Sequence, residues 1–269
     1  MSKSKIRLSR VSLKYQTGPK HWWGHWNCRD SNAKGAAGNI LEDMDLEIDA
    51  GEFVSILGHS GCGKSTLLKI IAGFIKPTRG EVRIDDTPVT GPRGDHLFVF
   101  QEGSLFPWLT ILKNVLLALN SIPDPAERLK KARHYLELVS LEAYGNYYPH
   151  MLSGGMKQRA EMARALAARP AVLLMDEPYS GLDYLTRLQM REEILYLHMM
   201  LKDTTILFVT HDIDEALQLS DRVVILTERP ARIKCSHPIS VSHPRVLTSP
   251  DLNDLRSRIF DHLGVHAEL

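Results

Sequence analysis

One nonapeptide restricts the fold of this chain more than any other feature. The segment "GHSGCGKST" (58–66) follows the pattern G-x-x-x-x-G-K-[S/T]. The apolar run "EFVSILG" (52–58) precedes it with the length of a buried strand, and the helical pattern "KSTLLKIIAG" (64–73) follows it. A strand, a glycine-rich turn and a helix in this order form a loop whose backbone N–H groups bind phosphate. The sequence therefore predicts an α/β nucleotide-binding fold.

The residues of this predicted phosphate-binding loop differ in the chemistry that they offer. Gly58, Gly61 and Gly63 permit positive φ angles, which turn several backbone N–H groups toward one point. The ammonium group of Lys64 is a charge for the β- and γ-phosphates, and the Ser65 hydroxyl is the expected Mg²⁺ ligand. The full set of candidate nucleotide-binding residues in this loop is Gly58, Ser60, Gly61, Cys62, Gly63, Lys64, Ser65 and Thr66.

Three further apolar runs of strand length end in polar residues. They are "HLFVFQ" (96–101), "AVLLMDE" (171–177) and "TTILFVTH" (204–211). Buried parallel strands of an α/β sheet have this pattern, and their carboxyl ends carry the chemistry. Gln101 and His211 end two of these runs, which makes them candidates for the nucleotide site. For a lone histidine the alternative is a purely structural role.

The acidic pair Asp176 and Glu177 ends the run "AVLLMDE". Because neighbouring residues of a strand point to opposite faces, the two carboxylates are expected to project differently. We expect Asp176 to face Mg²⁺ and Glu177 to face the attacking water. The alternative is an ordinary turn before Pro178.

The remaining segments indicate how the chain is organised. Residues 103–165 have the pattern of a mainly helical subdomain inserted in the α/β core. Residues 80–89, like the first 50 residues, alternate as short antiparallel strands do. The tail, 228–269, ends in an amphipathic helix and is too short to be a domain of its own. We therefore expect a single domain over residues 1–269.

The charge balance and the cysteine content limit the possible functions. Lysine and arginine (33) nearly balance aspartate and glutamate (32), so a net charge of +1 gives no reason to expect a nucleic-acid partner. Three widely spaced cysteines are typical of a reduced cytoplasmic protein. The N-terminus lacks the apolar stretch of a signal peptide, and no run approaches the roughly 20 apolar residues that span a bilayer. If the protein functions at a membrane, we therefore expect it to act from the membrane surface without spanning the bilayer.

A second candidate phosphate site lies in "LSGGMKQR" (152–159). A serine before two glycines, at the start of a helical pattern, predicts a capped helix N-terminus with exposed backbone N–H groups. Such an end attracts anions. The candidate residues are Ser153, Gly154 and Gly155, and the alternative is a plain loop before a helix.

Taken together, these motifs resemble those of the ATP-binding cassette (ABC) ATPases. The motifs occur in that family's order and at its spacing over roughly residues 5–228. They are "GHSGCGKST", Gln101, "LSGGMKQR", "VLLMDEP", "SGLD" and His211. The resemblance implies a P-loop NTPase (RecA-like) parallel-sheet core with an N-terminal antiparallel β part and an inserted α-helical subdomain. It also implies a head-to-tail dimer in which ATP lies between the phosphate-binding loop of one chain and "LSGG" of the other.

The same resemblance implies roles for individual residues. Glu177 is similar to the family's general base, and His211 is the second expected catalytic residue. Asp183 corresponds to the residue that links the two sites, and Gln101 to the sensor that couples Mg²⁺–ATP to the transport partner. Tyr15 stands where the family has an aromatic residue against the adenine. The implied cofactors are ATP and Mg²⁺, and the implied metal ligands are Ser65, Gln101 and Asp176.

Three longer stretches resemble the ATPase subunits of bacterial importers for nitrate, sulfonates, taurine or bicarbonate. These stretches are "SLFPWLTILKNVLLAL", "YPHMLSGGMKQRAEMARAL" and "THDIDEALQLSDRVVIL". The implied partners are a second ATPase subunit, two integral membrane permease subunits and a periplasmic or lipid-anchored substrate-binding protein. The implied location is the cytoplasmic face of the inner membrane. An exporter ATPase and a soluble, non-transport ABC ATPase are the alternatives.

An apolar cluster follows Gln101, formed by Leu105, Phe106, Pro107 and Trp108. We expect these residues to line a surface groove that receives a short helix of a membrane subunit. The alternative for Phe106 is a place in the core of the helical subdomain.

The segment 16–39 is an insertion relative to the family pattern. His21, His25 and Cys28 fall on one helical face with side chains of the metal-ligand type, but tryptophans fill the gaps between them. A loop anchored on the domain by these tryptophans, a contact with a partner and a metal site are the three interpretations. A tryptophan of the insertion is also an alternative to Tyr15 beside the adenine.

Overall fold

The computed structural model describes residues 4–14, 38–101, 103–180, 183–200 and 203–264. These residues form two compact units. The first consists of the described parts of Met1–Arg93 and Val209–Leu269, and the second of those of Gly94–Phe208.

Strands and α-helices of both units are numbered along the chain. The strands of the described ranges are β1 (Ser4–Lys14), β2 (Asn39–Asp49), β3 (Phe53–Leu57), β4 (Arg79–Ile84), β5 (Thr87–Pro88), β6 (His96–Val99), β7 (Val172–Asp176), β8 (Thr205–Val209), β9 (Arg222–Leu226) and β10 (Ile233–Pro238). The helices are α1 (Lys64–Ile71), α2 (Ile111–Ala118), α3 (Pro125–Leu138), α4 (Gly154–Ala167), α5 (Tyr184–Met200), α6 (Ile213–Leu219) and α7 (Pro250–Leu263). Short 3₁₀ turns cover Glu142–Tyr144 and Pro149–Met151.

The first unit contains the antiparallel β part, in the strand order β2-β1-β4-β5. Ile6 of β1 lies opposite Ile48 of β2 and Ile84 of β4, and all three side chains are fully buried. Leu8 is also buried whereas the intervening Arg7 is not, because successive side chains of a strand point to opposite faces. The alternation in the sequence therefore correctly predicted this sheet.

The same unit contains a parallel strand pair that leads into the phosphate-binding loop. β3 pairs in parallel with β9, and β9 pairs antiparallel with β10. All five residues of β3 are buried, as expected for a strand covered on both faces. The strand predicted at 52–58 and the helix predicted at 64–73 are confirmed as β3 and α1.

Helices α6 and α7 bury one apolar face of this unit. Leu252, Leu255 and Ile259, at helical spacing on α7, pack in one cluster with residues of α6, β3 and β9. Burial of a leucine or isoleucine side chain contributes about 1.5–3 kcal/mol, so this cluster fixes α7 firmly on the unit. The amphipathic helix predicted near the chain's end is therefore present.

The second unit contains the other predicted parallel strands. β6 pairs in parallel with β7, and β7 is followed by β8 in the strand order. All residues of β7 and β8 are buried, which explains why their sequences are almost continuously apolar. The strands predicted at 96–101, 171–177 and 204–211 are confirmed in type, with bounds shorter by a few residues.

The helices α2 to α5 make up the rest of the second unit. The Thr110 side chain accepts a hydrogen bond from the backbone N–H of Lys113 and caps α2, and Asp124 caps α3 in the same way. In the part of the chain that the structure describes, no helix is long and apolar enough to cross a membrane.

Candidate functional site

The phosphate-binding loop lies in the first unit between the end of β3 and the start of α1. Gly63 is the N-cap residue of α1 with a φ of 125°, and among the described residues no side chain caps this helix. The phosphate-binding loop therefore meets α1 at the positive end of the helix dipole, which attracts anions. A Cβ atom on Gly63 would lie 2.9 Å from Cδ2 of Leu41, so a side chain at this position would displace Leu41 and would also be strained by the positive φ.

Gly58 differs from the expectation of a positive φ. Gly61 and Gly63 have positive φ values, whereas Gly58 does not. A Cβ atom on Gly58 would instead lie 3.0 Å from Sγ of Cys62 and 3.3 Å from Cβ of Leu226. Glycine is therefore needed here for close packing and not for its backbone conformation.

Lys64 begins α1 and is 4% exposed. Its Nζ donates to the carbonyl oxygen of Gly58 at 2.7 Å and to that of His59 at 3.1 Å. A buried ammonium group held by carbonyl dipoles is a strong partner for phosphate, because water screens it little. The geometry suits the predicted role of Lys64.

The other residues of this loop divide by burial. Ser60 and Gly61 are exposed, Ser65 is half-buried, and Cys62 and Thr66 are buried. Burial raises the pKa of the Cys62 thiol, and the positive charge of Lys64 only partly opposes this. Cys62 is therefore a neutral packing residue of the loop at neutral pH.

His211 also belongs to the first unit, two residues after the end of β8, and it is exposed. The next residue, Asp212, caps α6 by accepting from the N–H groups of Asp214 and Glu215. Thr210 donates its hydroxyl proton to Glu215 at 2.5 Å. These contacts hold the backbone on both sides of His211, which suits a residue that must point in a defined direction.

The acidic pair lies in the second unit at the end of β7. Asp176 is 5% exposed and is the last residue of the strand. Glu177 follows with a φ of 45°, the left-handed region that non-glycine residues rarely occupy. Such a conformation costs free energy and is concentrated at functional sites. The turn continues with a hydrogen bond from the N–H of Ser180 to the carbonyl oxygen of Glu177.

The "LSGG" segment starts helix α4 of the second unit. The Ser153 hydroxyl accepts from the N–H of Met156 at 3.3 Å, so the predicted cap is present. Gly154 and Gly155 are the first two residues of the helix. A Cβ atom on Gly154 would meet none of the described atoms within 4 Å. Packing within this part of the chain therefore does not require a glycine at Gly154.

Sequence reasoning missed the polar residues of α4 that hold the neighbouring segments. Nε2 of Gln158 donates to the carbonyl oxygen of Ser180 at 3.0 Å, which connects this helix to the turn after Glu177. A polar residue in an alanine-rich helix was the available signal. The partners could not be read from the sequence, since they lie 22 residues away.

Glu161 and Arg164, also on α4, hold the segment that follows Gln101. Oε1 of Glu161 accepts from the backbone N–H groups of Ser104 and Leu105, and Arg164 donates to the carbonyl oxygen of Ser104 at 2.9 Å. Burial raises the pKa of Glu161, while the bond from Ser104 opposes this. Gln101 itself is exposed, two residues after β6 ends.

Asp183 immediately precedes α5 and caps its first turn. Its carboxylate accepts from the N–H of Thr186 at 3.0 Å and from the Thr186 hydroxyl at 2.6 Å. These two bonds lower the pKa of Asp183, so the residue is ionised at neutral pH. Asp183 therefore caps α5, and its role between the two sites stays a prediction.

The candidate residues are divided between the two units. The loop 58–66 and His211 belong to the first, and Gln101, Ser153, Gly154, Gly155, Asp176, Glu177 and Asp183 belong to the second. Tyr15 and the histidines and cysteine of the insertion lie outside the described residues.

Comparison with known protein families and individual proteins shows which family has this combination of motifs. The profile of the ABC transporter family matches residues 41–180. An uncharacterized ABC transporter ATP-binding protein of Methanocaldococcus jannaschii is 46% identical, over 83% of this chain and 84% of the relative. The aliphatic sulfonates import ATP-binding protein SsuB of Bacillus subtilis is 43% identical, over 84% of this chain and 88% of its own length. The nitrate import ATP-binding protein NrtC of Synechococcus elongatus is 43% identical, over 83% of this chain and 35% of that longer protein.

A solved structure has the same architecture. It is a dimeric ATP-binding cassette in a post-hydrolysis state bound to ADP and Pi. It is 32% identical to this chain, with a TM-score of 0.71, and the match covers 88% of this chain and 100% of that one. The fold, the motifs and these relatives agree, and the chain belongs to the ABC transporter family as one of its ATP-binding cassette ATPases.

Proposed function

We propose that this chain is the energy-coupling ATPase subunit of an importer for a small anion such as a sulfonate, taurine, nitrate or bicarbonate. The observation that carries the proposal is the identity of 43% with a sulfonate import ATP-binding protein over 84% of the chain. The similar identity to a nitrate import protein supports the same substrate class. In this role the chain works as a peripheral protein at the cytoplasmic face of the membrane, and ATP binding and hydrolysis move separate membrane subunits.

Each unit has residues with the chemistry that binding of Mg²⁺–ATP requires. Lys64 supplies a buried positive charge, and the uncapped N-terminus of α1 supplies N–H groups for phosphate oxygens. Ser65, Gln101 and Asp176 are the proposed Mg²⁺ ligands, and oxygen donors of this kind are what Mg²⁺ prefers. When bound, Mg²⁺ neutralises charge on the β- and γ-phosphates. Glu177 is the proposed general base, and His211 is proposed to donate to the γ-phosphate.

"LSGG" is proposed to act on the ATP of a second ATPase subunit. Gly154 is exposed and is followed by a helix whose N-terminus carries partial positive charge. A glycine that its own chain does not need for packing leaves room for close approach of a phosphate. The dimeric state of the solved ABC cassette supports this arrangement.

A contact with the membrane subunits is proposed at the cluster after Gln101. The Trp108 side chain is 68% exposed and its ring lies 5.4 Å from that of Phe106. The side chain of Asn114, which is fully buried, holds the backbone N–H of Phe106 at 2.8 Å. An aromatic surface on a fixed loop suits a short helix of a permease subunit.

Reconstitution tests this function. The chain is isolated with its co-purifying membrane subunits and incorporated into liposomes that contain the substrate-binding protein and labelled sulfonate, taurine, nitrate or bicarbonate. Release of the label is measured with ATP on the outer, ATPase-bearing side. ATP-dependent movement toward the ATPase-bearing side supports an importer. Movement in the other direction indicates an exporter, and co-purification with ribosomes or DNA instead of membrane subunits indicates a soluble ABC ATPase; either result would refute the proposal.

The proposed membrane contact has its own test. Trp108→Ala is expected to weaken assembly with the membrane subunits. It should leave ATP binding unchanged, because the side chain is mostly exposed to solvent. The exposed Tyr196 on α5 provides a matched control, since Tyr196→Ala removes an aromatic surface elsewhere. Full assembly and substrate-stimulated ATPase activity in Trp108→Ala would count against the contact.

A further inference from the structure

Strand β10 presents two metal-ligand side chains on one face. Cys235 and His237 are two residues apart, and they lie opposite Ile225 and Val223 of β9. Because side chains of a strand alternate, residues at this spacing point to the same side of the sheet. Both are partly exposed, so an ion can reach them from solvent.

A third ligand side chain comes from the end of α7. His262 is the penultimate residue of this helix, which the cluster of Leu252, Leu255 and Ile259 anchors. Gly264 ends the helix with a φ of 72°, and its N–H bonds to carbonyl oxygens of the last turn. The ring of His262 is therefore carried by a fixed element and not by a loose tail.

The three donor atoms lie close to one another. Sγ of Cys235 and one ring nitrogen each of His237 and His262 lie within 4.8 Å of one another. Nε2 of His237 and Nδ1 of His262 are 3.1 Å apart. A tetrahedral ion with bonds of about 2.0 Å to nitrogen requires a nitrogen–nitrogen distance of roughly 3.3 Å. The two ring nitrogens are therefore within about 0.2 Å of the separation that such an ion requires.

We propose that Cys235, His237 and His262 form a binding site for a transition-metal ion of the Zn²⁺ class. One thiolate and two imidazoles favour Zn²⁺ and ions such as Co²⁺, Ni²⁺ and copper over Mg²⁺ and Ca²⁺, which prefer oxygen. Water completes the coordination of the ion. The site is distinct from the one proposed for Mg²⁺–ATP in both its residues and its ligand chemistry.

The surroundings shift the pKa values of the histidine and the cysteine of this cluster in opposite directions. Burial lowers the pKa of His237, and the neighbouring His262 and Arg258 lower it further. Burial raises the pKa of Cys235, and the charge of Lys234 partly opposes this. The thiol is therefore protonated until the ion binds, when the sulfur–metal bond forms and the proton passes to solvent.

The site is connected to the phosphate-binding loop through the end of α7. Nζ of Lys234 donates to the carbonyl oxygen of His262 at 2.6 Å, and Nε2 of His59 donates to that of Leu263 at 2.7 Å. An ion bound at His262 therefore restrains the turn that contacts His59. Slower amide exchange in the last turn of α7 is the expected sign of that restraint.

Spectroscopic titration of the full chain tests the site. Metal-free protein without nucleotide is titrated with Co²⁺, followed by Zn²⁺ in competition. We expect one ion per chain with a sulfur-to-cobalt charge-transfer band, and displacement of that ion by Zn²⁺. Cys235→Ser should abolish the band, and His237→Gln or His262→Gln should weaken binding by about 100-fold or more, since loss of even an outer-shell partner costs 10- to 100-fold.

Two matched variants make the assignment specific. His134→Gln changes an exposed histidine on α3, and Cys28→Ser changes the cysteine of the insertion; both should keep the band and the affinity. Circular dichroism of the metal-free variants checks that each is folded. A wild-type chain that binds no stoichiometric ion, a band that survives Cys235→Ser, or a band that Cys28→Ser removes would each overturn the proposal.

Discussion

The ammonium group of Lys64 donates to the carbonyl oxygen of Gly58 at 2.7 Å, so the first glycine of the phosphate-binding loop holds that loop's lysine. The second bond, to His59, and an exposure of 4% leave this charge largely desolvated. A desolvated ammonium group binds phosphate more strongly than an exposed one, because bulk water does not screen the attraction. The side chain is therefore held within the loop before any nucleotide arrives.

Replacement of that lysine should weaken nucleotide binding. Lys64→Ala removes a charge-assisted bond of about 1.5–3 kcal/mol, which corresponds to a loss of affinity of roughly 10- to 150-fold. Binding of ATP by isothermal titration measures the change. Lys69→Ala, one turn further along α1, is the matched control and should bind normally. Unchanged affinity in Lys64→Ala would show that the loop does not use this residue.

Glu177→Gln should separate ATP binding from hydrolysis. The substitution keeps the size of the side chain but removes the proposed base, and loss of a positioned base slows reactions by about 100-fold or more. The affinity for ATP should remain, and an ATP-dependent dimer should accumulate. Single-turnover hydrolysis and gel filtration measure the two effects. Glu192→Gln, an exposed site on α5, is the control. Near-normal turnover in Glu177→Gln would leave His211 as the next candidate base.

A half-buried carboxyl group outside the motifs should make stability depend on pH. Burial raises the pKa of Glu193 from 4.5 to about 7, and the charge of Arg159 only partly opposes this. The folded chain keeps this proton to about pH 7, whereas the unfolded chain releases it near 4.5. Folded protein therefore binds more protons across this interval, and the contribution of Glu193 to stability falls as pH rises through it.

Glu193→Gln removes that dependence. The variant should have a higher free energy of unfolding than the wild type at pH 8, and the gain should be smaller at pH 5. Urea denaturation of both proteins at pH 5 and at pH 8 measures these free energies of unfolding. Glu192→Gln tests the neighbouring exposed carboxylate and should show no such difference. An equal change at pH 5 and pH 8 for Glu193→Gln would contradict the pKa assignment.

Local patterns in the sequence were sufficient for the strands and the phosphate-binding loop. β3, β7 and β8 are buried over their whole length, so their apolar runs are unmistakable. The serine cap of α4 was equally local, because Ser153 bonds to a residue three positions away. Both features depend on neighbours in the chain and not on the tertiary fold.

Contacts over long sequence separations were not predictable. Glu161 and Arg164 bond to a segment 56 to 60 residues away, and no spacing rule connects them. Helical spacing alone also does not show that Met156, in the first turn of α4, is only half-buried, because that turn lies at the surface. The Cys235 and His262 side chains lie close together because β10 pairs with β9 and α7 packs against the same strand.

The division of work between the phosphate-binding loop and "LSGG" can be tested with two inactive chains. Lys64→Ala damages the loop, and Gly154→Asp introduces a carboxylate where a phosphate must approach, which adds repulsion to a steric obstacle. Each variant alone should lack ATPase activity. Chains with different affinity tags are co-expressed with the membrane subunits, and the mixed dimer is purified through both tags.

ATP hydrolysis by this mixed dimer is the decisive measurement. If "LSGG" acts on the nucleotide of the partner subunit, the intact loop of one chain meets the intact "LSGG" of the other and restores one site. Activity should then return, at no more than about half of the wild-type rate per dimer. The control mixes Lys64→Ala with the double variant Lys64→Ala, Gly154→Asp and must remain inactive. A purified mixed dimer as inactive as this control would contradict the shared site.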